Sequence, residues 1–346
     1  MKIVVLCGGI STERDVSITS GTMVAQALRD RGHQVVLLDS FFGCLEPYEK
    51  PEDLFHEDRP FARILVGEKE PDLAKIKASR NQANDSILGD NVFEICRAAD
   101  ITFFALHGED GENGTLQAAF DVAGIKYTGC GCLGSAIAMN KEVSKKLFMQ
   151  AGITTPAGIT VHPDDEKPFA DVGFPCVVKP CSGGSSVGTS IVRSRAEYEA
   201  ALELAFQYEY AVIVEQYIKG RELTVGVVDG KAMPVLEVIP KEGFYDYKNK
   251  YQAGMTTDLC PAPLDEETSA RVQRLAVRAD RELMGEVYTR VDFLMDDKGR
   301  LYCLEANTLP GMTPTSLVPQ MAQARGQSFG ELCEEIIAVS MKKYRQ

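Results

Sequence analysis

At its amino-terminal end the chain alternates short apolar runs with longer stretches of helical composition. Lys2 to Leu6 reads as a buried strand, Gly8-Gly9-Ile10-Ser11-Thr12 as a loop, Ser17 to Arg29 as a helix ending near Gly32, and His33 to Leu38 as a second strand. Residues 40–99 are rich in Pro, Glu, Asp and Asn and too weakly periodic to assign. Ile101 to Leu106 is a further buried strand, followed by HGEDGENG and a helix from Thr115 to Val122. Strand and helix in alternation predict a doubly wound parallel half, whose ligands gather at the carboxyl ends of the strands.

The pattern then changes. A helix from about Asn140 to Gln150 precedes Gly152, and Pro156 and Pro163 mark irregular chain. Cys176-Val177-Val178-Lys179 is a strand, SGGSSVG a loop of small residues, and Ile191-Val192 the returning strand; a helix from Ala196 to Tyr208 and a strand from Ala211 to Glu215 follow. From Leu223 to Pro240 strands alternate around Asp229-Gly230. KEGFYDYKNKYQAGMTTD is a long polar and aromatic loop, of a length that inside a compact domain is usually functional. Helices from Asp265 to Leu283 and from Phe329 to Tyr344 flank a hairpin in TRVDFLMDDKGRLYCLEAN.

A two-residue turn at Lys298-Gly299 sets that hairpin's register, with Asp292 opposite Glu305 and Arg290 opposite Asn307. Side chains alternate faces, so these four share one face and Val291, Phe293, Leu304 and Ala306 the other; a bulged turn would slip the pairing by one residue. Two carboxylates, an amide oxygen and a guanidinium suit a hard cation bridging phosphate oxygens, although a solvated sheet face would also carry such residues.

Composition narrows the field. The 346 residues are 45% hydrophobic and 25% charged, as expected of a globular protein of two or three domains. No apolar run approaches the ~20 residues that cross a bilayer, and Ile3 to Leu6 is too short for the apolar region of a signal peptide, so the expectation is a cytoplasmic protein with no membrane partner. Ten cysteines are scattered, most of them singly in apolar runs, without zinc-site spacing, and read as reduced small hydrophobes. A net charge of −13 without a basic cluster argues against nucleic acid as a partner.

VVKPCSGGSSVG sets Lys179 at a strand end before a loop whose backbone N–H groups can fold over phosphates. It is not a P-loop, because the lysine precedes the glycines; a surface hairpin would have a similar composition. Lys141 supplies a second positive charge, Glu215-Gln216-Tyr217-Ile218 closes a strand as a candidate adenine-binding hinge, and Glu222 is a candidate ribose ligand.

Seven ordered segments, GGISTERDVS, LHGEDGENGTLQ, Met139-Asn140-Lys141, VVKPCSGGSSVG, FYDYKNKY, Arg290-Val291-Asp292 and LEANTLPGMTPTSL, carry a resemblance over nearly the whole chain. The sequence resembles the D-alanine:D-alanine ligases of the ATP-grasp superfamily. The resemblance implies an α/β protein: a substrate-binding parallel-sheet domain over 1–138, and two α+β subdomains enclosing ATP, over 139–214 with a lid loop and over 215–346 with the metal and catalytic residues. It implies that Lys141, Lys179 and the 183–188 loop, including Gly184, Ser185 and Ser186, meet the ATP phosphates, and that Glu215, Tyr217, Ile218 and Glu222 border the nucleoside, with Lys250 also on the nucleotide. Asp292, Glu305 and Asn307 would bind two Mg²⁺ ions, with Mn²⁺ an acceptable substitute. Glu13 would hold the ammonium of the first D-alanine within a triad with Ser185 and Tyr251. Arg290 and the Gly311 N–H would form the oxyanion site, Ser316 would meet the second substrate's carboxylate, and His107 would lie near the first. A homodimer is implied as well.

Plainer accounts exist for single members of this set. Glu13 would favour the positive end of the helix that follows it, His107 is equally readable as a structural histidine, and Tyr251 as a packing residue of its loop. The chain also departs from the family pattern: Ser182-Gly183-Gly184 is more glycine-rich than in many relatives, Gln216 stands where some have lysine, and 40–99 is longer than in compact members. Two rival functions remain: a ligase taking D-lactate or D-serine as second substrate, and a noncatalytic ATP-binding protein of the same fold. A dinucleotide enzyme would need G-x-G-x-x-G after the first strand, which Gly8-Gly9-Ile10-Ser11-Thr12-Glu13 lacks.

Overall fold

The computed structural model describes residues 1–56, 71–80, 86–165, 172–184, 187–241, 255–313 and 315–345. Three sheets organise them. The first is parallel, in the order β2-β1-β3, from β1 (Lys2–Cys7), β2 (Gln34–Asp39) and β3 (Ile101–Phe104). Strand β1 lies between its neighbours and is buried throughout Ile3 to Leu6, which is why it reads as an unbroken apolar run. The helix Arg14–Asp30 packs Val24, Ala25 and Leu28 into the same core. It begins at Arg14 rather than the expected Ser17: Arg14 is buried in an ion pair with Asp39 and over the Phe42 ring, and a charged residue does not register in hydrophobic periodicity. Within 40–99, Leu54, Phe55, Leu88, Val92 and Ile95 join this core.

The second sheet is antiparallel, in the order β4-β7-β5-β6, from β4 (Gly158–Val161), β5 (Cys176–Pro180), β6 (Ser190–Val192) and β7 (Val212–Gln216). The helix Arg195–Ala205 covers it with Tyr198, Ala201, Leu202 and Ala205. The edge strand β4 was not expected, since its four residues lie between Pro156 and Pro163 and only Val161 is fully buried.

The third sheet comprises β8 (Arg221–Val228), β9 (Lys231–Ala232), β10 (Leu236–Pro240), β11 (Thr256–Leu259), β12 (Tyr288–Met295) and β13 (Leu301–Asn307), in the order β11-β10-β8-β12-β13 with β9 paired to β8. One face buries Val225, Val227, Val291, Phe293, Cys303 and Ala306 together with Val272, Ala276 and Ala279 of the helix Glu266–Glu282 and Phe148 of the helix Lys141–Gln150. The helices Leu317–Ala324 and Phe329–Lys342 return to the core of the first sheet.

The hairpin turn corrects one expectation. Asp296 accepts from the N–H groups of Lys298 and Arg300 and from the Arg300 side chain, so the turn is longer than two residues. Met295 therefore pairs with Leu301 and Phe293 with Cys303, one residue off the expected register. Leu304 is the extra residue of a bulge, after which Asp292 meets Glu305 and Arg290 meets Asn307 as expected. Cys303, not Leu304, consequently faces the core. All ten cysteines are unpaired, and no described helix is long and apolar enough to cross a membrane.

Candidate active site

The face of the third sheet opposite its core carries the expected cluster. Arg290 is forked onto Asp292, Nε to Oδ1 at 2.9 Å and Nη2 to Oδ2 at 2.7 Å, and Thr224 on β8 donates to the same Oδ1 at 2.6 Å. Glu305 lies opposite Asp292, with Lys141 Nζ 3.3 Å from its Oε2. The Asn307 amide satisfies both its ends when its nitrogen donates to Glu112 Oε1 at 3.1 Å and its oxygen accepts from Arg290 Nη2 at 2.9 Å. Glu222 belongs to the same face, because Gly226, Thr224 and Glu222 pair in turn with Arg290, Asp292 and Leu294.

Glu112 is a member that sequence reasoning missed. Its second oxygen accepts from the Gly108 N–H at 3.0 Å. Burial, then the nearby charge of Glu13, pushes its carboxyl up to about 8, against the opposing effects of the Gly108 N–H and Arg290. Within HGEDGENG the sequence pattern does not distinguish Glu112 from Glu109 and Asp110. Only the short helix Glu109–Glu112, which buries Gly111 and Glu112, makes that distinction.

Among the described residues no three His, Cys, Asp or Glu side chains form a cage for a metal ion. Asp292, Glu305 and Asn307 offer two carboxylates and an amide oxygen on one sheet face. That hard-oxygen set suits Mg²⁺, which characteristically uses one or two carboxylates and completes its shell with phosphate oxygens and water.

A second group of charges converges from the other sheets. Asn140 caps the helix Lys141–Gln150 by accepting from the Val143 N–H, and this sets Lys141 in the first turn, where Nζ also donates to the Gly183 carbonyl. Lys179 on β5 and Glu215 on β7 share a face and form an ion pair. Lys145, also missed by the sequence reading, donates from Nζ to the other Glu215 oxygen at 2.6 Å, to Thr155 Oγ1 at 2.9 Å and to the Pro156 carbonyl at 2.8 Å. Burial pushes Glu215 up, but the ammonium groups of Lys179 and Lys145 outweigh it and hold the carboxylate below its usual range. Burial likewise pulls Lys179 down, while Glu215 and Glu305 more than compensate. Both Glu215 oxygens are thus taken by lysines, while Tyr217, half-buried, and Ile218, buried, follow it out of the sheet. Ser185, Ser186, Lys250 and Tyr251 lie outside the described residues.

The carboxyl ends of β1 and β3 form the third side. Ser11 Oγ donates to the His107 carbonyl at 2.7 Å, and the Gly8 N–H donates to Ser17 Oγ at 2.8 Å, fixing the loop that presents the buried Glu13. Gly184 of the glycine loop lies against that side chain: a Cβ there would be 2.8 Å from Glu13 Oε2. His107 Nδ1 is 2.9 Å from the Leu309 carbonyl, which only accepts, so Nδ1 carries the hydrogen and Nε2 accepts from Ser20 Oγ at 3.0 Å. Nδ1 thus ties the end of β3 to the loop after β13, and Nε2 ties it to the helix Arg14–Asp30. In that loop Ser316 Oγ accepts from the Thr313 N–H at 3.1 Å and faces Gly311, where a Cβ would come within 2.9 Å of it.

Two antiparallel sheets whose lysines and carboxylates converge beside a parallel-sheet domain define an ATP-grasp fold. Residues 2–130 match the family described as D-ala D-ala ligase N-terminus and 149–338 the one described as D-ala D-ala ligase C-terminus. The chain is 42% identical over 347 residues to the D-alanine–D-alanine ligase of Pediococcus pentosaceus, covering 99% of each chain. Its structure is similar to that of the Bacillus anthracis D-alanine–D-alanine ligase complexed with ATP (TM-score 0.74, 31% identity, 99% of this chain and 98% of that one). A similar likeness holds to the VanG D-Ala:D-Ser ligase of Enterococcus faecalis (TM-score 0.75, 30% identity, 98% and 99%). The chain belongs to the D-alanine–D-alanine ligase family.

Proposed function

We propose that this enzyme joins two D-alanines into D-alanyl-D-alanine at the expense of ATP, for peptidoglycan synthesis. The observation that carries the reading is the arrangement of Arg290, Asp292, Glu305 and Asn307 on one sheet face, met by Lys141 from a separate helix, in a chain matched over its whole length by such ligases.

A carboxylate is a poor electrophile, so the first D-alanine's carboxylate attacks the γ-phosphoryl group of ATP, giving an acyl phosphate and ADP. The free amine of the second D-alanine then attacks the acyl carbon, and phosphate leaves as the peptide bond forms. Lys141 and Lys179 would hold the ATP phosphates, and the 183–188 loop, with Gly184, Ser185 and Ser186, would close over them. Glu215, Tyr217, Ile218, Glu222 and Lys250 would border the nucleotide. Asp292, Glu305 and Asn307 would hold two Mg²⁺ ions, which when bound neutralise charge on the transferring phosphoryl group. Glu13 would orient the first substrate's ammonium, in a triad with Ser185 and Tyr251, with His107 near its carboxylate. Arg290 and the Gly311 N–H would receive the negative charge of the tetrahedral adduct, and Ser316 would bind the second carboxylate. Closed loops are needed because water destroys an acyl phosphate.

We further propose the units 1–138, 139–214 and 215–346, the helix Lys141–Gln150 of the second packing against the third sheet and the last two helices of the third against the first sheet, a homodimer, and work in the cytosol; ten unpaired cysteines are consistent with a reducing compartment. The test is phosphate release from ATP and Mg²⁺ with D-alanine, L-alanine, D-serine or D-lactate, identifying each product by mass. Dipeptide from D-alanine alone is the expected result. A mixed product formed in preference with D-serine would favour the activity named for the Enterococcus faecalis neighbour, and no release with any substrate, despite ATP binding, would refute the ligase reading.

A further inference from the structure

Lys145 lies beneath the charge cluster, at the place where the chain enters and leaves the second sheet. Ile153 belongs to the core of the third sheet and Val161 to that of the second, so the chain crosses between them through Thr155 and Pro156. It crosses back between Val214, in the core of the second sheet, and Leu223, in that of the third, and Glu215 lies at the start of this return. The Lys145 ammonium is bound to both crossings at once, to Thr155 Oγ1 and the Pro156 carbonyl on one and to Glu215 on the other. It is one helical turn from Lys141, which meets Glu305 and Gly183.

We propose that Lys145 is a positioning residue for ATP, acting through Glu215, which it holds in place at the hinge and whose charge it offsets so that the Lys179 ammonium remains effective toward phosphate. This deepens the ATP reading above and rests on it. Lys145, Glu215 and Lys179 together bear one net positive charge. Without Lys145 the Glu215 carboxylate cancels Lys179, and the phosphate cluster loses a cation although Lys179 itself is untouched. The carboxylate also keeps a partner in that variant, so no buried charge is left unpaired.

The test compares the parent with Lys145→Met, Lys145→Gln and Lys145→Arg, measuring the ATP dissociation constant by calorimetry and the separate KM values for ATP and D-alanine. Glutamine keeps a donor for Thr155 or Pro156 and lacks the charge; arginine restores the charge. The expected result is an ATP dissociation constant raised about tenfold in the Met and Gln variants and within about threefold of the parent in the Arg variant, with the D-alanine KM moving by less than about twofold; a tenfold change is the size of one lost charged contact of about 1.4 kcal/mol. ATP affinity within about twofold of the parent in the Met and Gln variants would overturn the proposal, as would an equal rise in the D-alanine KM or the failure of both variants to fold. A parent protein that does not bind ATP would instead refute the underlying reading.

Discussion

Glu305 shows how one side chain serves two of the charge groups. It lies opposite Asp292 across the hairpin, and its Oε2 is within reach of Lys141, so it connects the carboxylate face to the lysine that enters from a separate helix. Glu305→Gln keeps the shape and a hydrogen-bonding oxygen while deleting the charge. Turnover at saturating Mg²⁺ is expected to fall by about 10²-fold or more, since metal and cation stabilisation of phosphoryl transfer is worth several kcal/mol; steady-state phosphate release measures it, and wild-type-like turnover would remove the metal role. The residues that escaped the sequence reading have a common cause. Glu112 and Lys145 acquire their significance from partners far away in the chain, Asn307 and Glu215, and neither has a spacing signature. Asp292 and Glu305 were legible because a hairpin makes sequence distance equivalent to spatial pairing.

The hairpin itself was read correctly at the site and incorrectly at the turn. Asp296 draws in three donors and lengthens the turn, and the bulge at Leu304 restores the register, so two departures cancel before Asp292 and Arg290 are reached. Strands that are continuous apolar runs, such as β1, were legible for the reason that they are buried on both faces. The short edge strands β4 and β11 were not, since few of their residues are buried and their pairing partners determine them. The contact between the helix Arg14–Asp30 and β1 offers a test at this scale. A Cβ at Gly21 would lie 2.5 Å from Cys7 Cβ, so Gly21→Ala must push helix and strand apart. Overpacking of this kind costs about 1–3 kcal/mol, to be read from the urea midpoint; an unchanged midpoint would show that the helix can shift freely.

The whole molecule is held together around the site by polar links between units as well as by apolar cores. His107, just after β3, bonds Ser20 on the helix Arg14–Asp30 and the Leu309 carbonyl in the loop that follows β13, and its ring is buried. Burial holds its pKa below the ordinary value, with Arg290 contributing in the same direction and Glu13 and the Leu309 carbonyl opposing. A histidine whose folded pKa is depressed binds fewer protons than in the unfolded chain. Its contribution to stability is therefore complete above the unfolded value of about 6.5 and is lost as pH falls from there through the lower folded value. Glu112, raised to about 8, gains stability as pH falls through the same window, so the His107 contribution is read by difference: urea unfolding between pH 8 and pH 5 should show the parent losing stability on the acid side relative to His107→Gln, and parallel pH profiles would contradict it. At this scale the three-sheet architecture was legible from motif order, whereas the packing of the helices Leu317–Ala324 and Phe329–Lys342 into the first sheet's core was not, because it joins the two ends of the chain.

On the mechanism proposed above, the substrate carboxylate is activated as an acyl phosphate between the Lys141–Glu305 and Arg290–Asp292 groups. The most direct measurement uses D-alanine labelled with ¹⁸O in its carboxylate, with ATP and Mg²⁺, and mass analysis of the released phosphate. If that carboxylate attacks phosphorus, its oxygen leaves with the phosphate when the second amine displaces it, and each turnover at full enrichment transfers one labelled oxygen. Phosphate free of ¹⁸O while dipeptide accumulates would contradict the acyl phosphate route.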